Sequence, residues 1–196
     1  MDLMDYWQYT DIITKALFFA LLALSVASWV TGILRLYYSR QLAKTVAADL
    51  AQQLQKQVPP SLQASAEERR LMTEQTLLQL IGRYRHRSEQ GLPLLGTTAA
   101  IAPFIGLFGT VWGIFHALRS IGMSGQAGLA QVAGPVGEAL IMTGLGLAVA
   151  IPAVIFYNII ARMNRRTLFL ANDIAHGLLG ASMRPAVTTD KTNTNG

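Results

Sequence analysis

Three long apolar runs constrain this chain more than any other feature of it. A helix needs about 20 mostly apolar residues to cross a bilayer, and residues 16–36, 94–118 and 136–160 each supply such a run. No ionisable side chain occurs between Ala16 and Leu34. Trp7, Tyr9, Trp29, Tyr37 and Tyr38 lie near the ends of the first run, at the level where aromatic rings favour lipid headgroups. Only 14% of residues are charged, against about one-quarter in a soluble domain, so the bilayer is the expected solvent. The first run does not read as a cleaved signal peptide. Asp2, Asp5 and Asp11 stand where a basic cluster would precede cleavage, and the run continues past Ser25, Val26 and Ala27.

Charge sets the expected orientation. Positive residues near the ends of spans are retained on the cytoplasmic side, and 14 of the 16 Lys and Arg residues lie at or between runs one and two or after run three. The N-terminus is therefore expected to be periplasmic and the C-terminus cytoplasmic. The same asymmetry accounts for the net charge of +5 without invoking nucleic acid. With no cysteine, disulfides and thiolate metal sites are excluded.

The expected layout is all-α, with a periplasmic N-terminus at 1–15 and spans at 16–36, 94–118 and 136–160. A cytoplasmic helical segment at 37–93, a periplasmic connector at 119–135, a cytoplasmic helix at 161–183 and a disordered tail at 184–196 complete it. Within 37–93, Leu42, Val46, Leu50 and Leu54 recur every four residues, as on one face of a helix that Pro59 and Pro60 would stop. Ser65 with Glu68 has capping-box spacing for a second helix, whose apolar side is read as Leu71, Leu77, Leu78, Ile81 and Tyr84. Such faces bury within one chain or against the same region of a neighbouring subunit. Arg83, Arg85 and Arg87, just before the second span, read as an anchor at an anionic membrane surface, so membrane lipids are expected partners. Gly91 and Pro93 mark the hand-over into the span.

The second span carries small residues every three to four positions, among them Gly106, Gly109, Thr110 and Gly113, with Gly109 and Gly113 at the GxxxG spacing. Such a face lets helices approach closely in lipid, or lines a pore. The third span repeats the pattern with Gly144 and Gly146, and Pro152 is expected to kink it. Glu138 is the only acidic residue between Leu92 and Asp173. A carboxylate inside a span costs about 2–3 kcal/mol or more unless paired, protonated or hydrated, which makes it a functional candidate. The alternative is a first-turn Glu stabilised by its helix N-terminus. If spans two and three run antiparallel, Thr110 and Thr143 lie at nearly the same depth, either lining a polar path or each bonding its own backbone. Glu138 would lie about 7–8 Å nearer the outer surface.

Residues 106–114, Gly-Leu-Phe-Gly-Thr-Val-Trp-Gly-Ile, resemble the signature of the MotA/TolQ/ExbB proton-channel family. Glu138, Ala139 and Leu140 with Thr143, followed by residues 146–158, resemble its third-span motif. Residues 11–29 look closest to the ExbB branch, with TolQ a near relative. One departure is Gly134-Pro135-Val136-Gly137, where the family usually reads Ala-Pro-Gly. The resemblance implies an oligomeric bundle, a homo-pentamer, around a central pore that holds the helices of an ExbD-like subunit. It further implies a TonB-like energy transducer, a bacterial inner-membrane location, and Thr110, Glu138 and Thr143 as polar residues of the inner surface. Gly106, Gly109, Gly113, Gly146 and Pro152 would then serve helix packing. A TolQ-like role in outer-membrane integrity and a non-conducting scaffold are the alternatives. No enzyme is expected and no cofactor or metal: no nucleotide loop or nucleophile elbow is present, and His86, His116 and His176 are scattered, His116 reading as an interfacial hydrogen-bonder.

Overall fold

The computed structural model describes residues 11–57, 65–124 and 129–182. The first ten residues, Pro59 and Pro60, the middle of the connector and the tail expected to be disordered lie outside the described residues. Four helices make up the rest: α1 (Ile12–Gln57), α2 (Ala66–Glu89), α3 (Leu92–Ser124) and α4 (Leu129–Ser182). Three stretches, within Ile12–Lys56, Glu67–Met123 and Ala133–Gly180, are long and apolar enough to cross a membrane.

The helices run well past the apolar runs. Nothing between Leu36 and Gln57 breaks a helix, so α1 continues for 46 residues while its composition turns from oily to charged. What changes at Leu36 is the environment that the side chains suit, not the backbone. Likewise α4 runs 54 residues through both Pro135 and Pro152. Between α2 and α3 stands Gly91, whose φ of 79° lies in the left-handed region that glycine adopts without a Cβ penalty.

The helices group into two compact units. The first holds the described parts of Met1–Ser39 and Glu89–Arg162. Its core is Leu21, Ala102, Met142, Val149 and Ala150, packed by Leu17, Phe18, Leu24, Ile105 and Leu145. Much of that interior is small, while Leu34, Phe104, Phe108 and Ile141 face outward. Large apolar side chains outside and small ones inside suit lipid, where close backbone packing holds helices together.

The second unit holds the described parts of Arg40–Ser88 and Met163–Gly196. Its core is Val46, Leu50, Leu80, Tyr84 and Ala171, flanked by Leu42, Leu168 and Ile174. The four-residue recurrence in α1 therefore marks the face that buries. The Tyr84 hydroxyl donates to the Asp49 carboxylate, which also accepts from the Gln53 amide at 3.2 Å. The Asn164 amide donates to the Ser88 carbonyl. At the start of α2 the expected capping box is present in both directions: the Glu68 N–H donates to the Ser65 hydroxyl at 3.1 Å, and the Ser65 N–H donates to the Glu68 carboxylate at 2.9 Å. Hydrogen bonding from the Ser65 N–H, and next from the Ser65 hydroxyl, holds the Glu68 carboxyl below the usual glutamate range.

The apolar side read for α2 needs correction. Thr73, Leu77, Leu80, Tyr84 and Ser88 are buried, whereas Leu71 and Leu78 are exposed. At about 100° per residue, Leu71 and Leu78 share a line on roughly the opposite side of the helix from Leu80 and Tyr84. The apolar residues of α2 thus form two stripes, of which only the one with Leu77, Leu80 and Tyr84 is buried.

Candidate functional site

The small-residue face of α3 meets α4 backbone to backbone. A Cβ placed on Gly106 would lie 2.6 Å from the Met142 carbonyl oxygen and 3.2 Å from the Thr143 Cα, and one on Gly146 would lie 2.6 Å from the Ala102 carbonyl oxygen. Further along, a Cβ on Gly109 would lie 3.0 Å from Met142 Cβ, and one on Gly113 would lie 2.8 Å from Ala139 Cβ. These pairs show α3 and α4 running antiparallel, with Gly106 facing Thr143 and Gly146 at one end and Gly113 facing Ala139 at the other.

This register brings the two threonines near one level. Gly109 faces Met142, so Thr110 and Thr143 differ in depth by only about two residues, or 3 Å. Thr110 is 5% exposed, and its hydroxyl donates to the Leu107 carbonyl at 2.7 Å. The own-backbone alternative is thus realised at Thr110, whose oxygen keeps lone pairs for a second partner. Thr143 is half-buried beside Gly106.

Glu138 is half-buried and sits next to the buried Ala139. It is not a first-turn residue: α4 begins at Leu129, nine residues earlier, and the field of a helix N-terminus falls off within its first turn. Pro152 lies half-buried inside α4. The small residues of α4 divide between two faces. Gly146 packs against α3, whereas a Cβ on Gly134, Gly137 or Gly144 would meet nothing within 4 Å.

A polar cluster at one end of the first unit was not legible as a cluster. The Trp112 indole donates to the Asp11 carboxylate at 3.3 Å, and His116 Nδ1 lies 3.4 Å from the same oxygen. The Trp112 and His116 rings are 5.9 Å apart. Helical spacing predicts that Trp112 and His116 share a face, but nothing in the sequence names a partner some hundred residues away.

An all-helical chain with three stretches able to cross a membrane, tight glycine packing between the second and third, and one carboxylate, Glu138, in the apolar part of the third defines a class: integral membrane proteins. Within that class, residues 41–171 match the MotA/TolQ/ExbB proton channel family, and the chain belongs to this family. The biopolymer transport protein ExbB of Neisseria gonorrhoeae is 56% identical over 95 residues, covering 47% of this chain and 42% of that protein. The chain thus aligns with less than half the length of that relative. ExbB of Salmonella typhimurium is 33% identical over 190 residues, covering 80% of this chain and 76% of the relative. The Tol-Pal system protein TolQ of Pseudomonas aeruginosa is 50% identical over 78 residues, covering 40% of this chain and 34% of that protein.

Proposed function

We propose that this chain is an ExbB-like subunit of a motor in a bacterial inner membrane, driven by the proton motive force. With an ExbD-like partner it would energise a TonB-like transducer for uptake across the outer membrane. The observation that carries the reading is Glu138: a carboxylate nine residues inside α4, in an apolar stretch with no other acidic side chain before Asp173, in a chain of a proton channel family. A helix has no reason to retain such a group for packing, and every reason to lose it unless a proton or a partner occupies it.

In this reading five copies surround the partner's helices, with periplasmic N-termini and cytoplasmic C-termini, as the distribution of Lys and Arg favours. The open glycine positions of α4 suit a wall past which a central helix moves. Thr110, Glu138 and Thr143 supply the polar groups that a partner carboxylate visits. One elementary charge moving through 100 mV releases about 2.3 kcal/mol, enough for a few protons to displace a loosely gripped helix pair.

The TolQ relative supports a second reading, a subunit for outer-membrane integrity, because the matched region is shared. Gene deletion separates the two: failure to grow on a scarce iron chelate supports the ExbB-like role, and detergent sensitivity with normal iron uptake supports the TolQ-like one. Normal growth and normal detergent resistance would exclude both.

A further inference from the structure

Ser28 in α1 and Thr98 in α3 are 1% and 0% exposed, and among the described residues neither hydroxyl has a hydrogen-bond partner. Both belong to the first unit. A buried hydroxyl without a partner costs free energy, and helical Ser and Thr commonly avoid this by bonding a carbonyl one turn back. Thr110, Thr73 and Thr167 do so in this chain. Ser28 and Thr98 do not.

The register of α1 against α3 puts the two hydroxyls at one depth. At one end Arg35 donates to the Gln90 side chain, and Gly91 lies against Thr31 and Arg35. At the other, Asp11 meets Trp112 and His116. Ser28 is seven residues from Arg35 and Thr98 is seven from Gly91, so two helices pinned at both ends bring these residues level. The third wall is α4, where Trp29 stacks edge-on against Phe156 and Gly96 approaches Tyr157. One turn from Phe156 stands Ala153, a small side chain that is 0% exposed.

We propose that Ser28 and Thr98 hold one buried water molecule between α1 and α3. Water is the ligand that fits two hydroxyls, each able to donate and accept, where three helices pack closely. Such a water needs two to four polar partners. A third is at hand: Pro103 has no N–H, so the Ala99 carbonyl, next to Thr98, lacks its usual helix donor. The site is independent of Thr110, Glu138 and Thr143, so it stands or falls separately from the proton-path reading.

The test compares thermal unfolding of the detergent-solubilised full chain with Ser28→Ala, Thr98→Val, the double variant and Thr98→Ser. A shared water predicts that each single apolar replacement lowers the midpoint by about 2–4 °C, that the double variant loses little more than either single one, and that Thr98→Ser retains more stability than Thr98→Val. Raised midpoints would show that the hydroxyls have no partner, and neutral or additive effects would show that each acts alone. Either result overturns the proposal. Because a direct Ser28–Thr98 bond would also be non-additive, a high-resolution density map decides between them. A peak within hydrogen-bonding reach of both hydroxyls upholds the water, and direct contact without a peak refutes it.

Discussion

Replacing Gly106 with alanine tests the packing that positions every candidate residue on α3 and α4. The new methyl would sit 2.6 Å from the Met142 carbonyl oxygen, 3.1 Å from Gly146 Cα and 3.2 Å from Thr143 Cα. All three are backbone atoms, so no rotamer change relieves the clash. Restoring ordinary contact near 3.4 Å requires the helices to part by roughly 0.8 Å, a gap that forfeits a quarter to a half of the dispersion energy of the contacts it opens. Overpacking of this kind costs about 1–3 kcal/mol, offset by about 0.5–1 kcal/mol for replacing a helical glycine. The expected net loss is therefore about 1–2 kcal/mol for Gly106→Ala. Gly146→Ala, which meets the Ala102 carbonyl oxygen at 2.6 Å, should lose a similar amount. Gly144→Ala is the internal reference, since its methyl meets nothing within 4 Å, and it should be neutral or stabilising. Denaturant unfolding of the purified chain in detergent measures all three. If Gly106→Ala is as stable as Gly144→Ala, the close approach of α3 and α4 is not as described.

Other outcomes follow from the same contacts. Leu50→Ala should cost about 2–5 kcal/mol, because Leu50 is fully buried at the centre of the second unit's core; chemical denaturation followed by circular dichroism reads this out. Leu78→Ala, on the exposed side of α2, should change stability by no more than about 0.5 kcal/mol in the same assay. The capping box makes stability depend on pH in a set direction. The Glu68 carboxyl is held below its ordinary value by its two bonds to Ser65, so its contribution is present above the unfolded glutamate value and is lost as pH falls through the lowered one. Ser65→Ala should flatten that part of the pH profile and move the Glu68 titration, followed by NMR, back toward the usual glutamate range.

The sequence was most informative where one strong physical demand acts. Lipid demands long apolar runs, so the three crossing stretches were legible, and a capping box needs only two residues at fixed spacing, so the start of α2 was too. The faces of α2 were harder, because Leu71 and Leu78 look like Leu77 and Leu80 until a second helix shows which stripe it covers. Glu138 could be singled out by its solitude, but its distance from the helix start could not, since Gly134 and Pro135 read as a helix start where α4 in fact runs on from Leu129. The pairing of Asp11 with His116 and the common depth of Ser28 and Thr98 depend on the register between helices far apart in sequence. Periodicity within a helix does not encode that register.

Proton flux into vesicles containing this chain and its ExbD-like partner, followed with a pH-sensitive dye under an imposed potential, bears most directly on the central claim. The account predicts potential-driven flux that needs both subunits and falls at least tenfold in Glu138→Gln and in Thr143→Val, with Leu78→Ala, on the exposed side of α2, as the control. Undiminished flux in Glu138→Gln and Thr143→Val, from complexes that assemble normally, would contradict it.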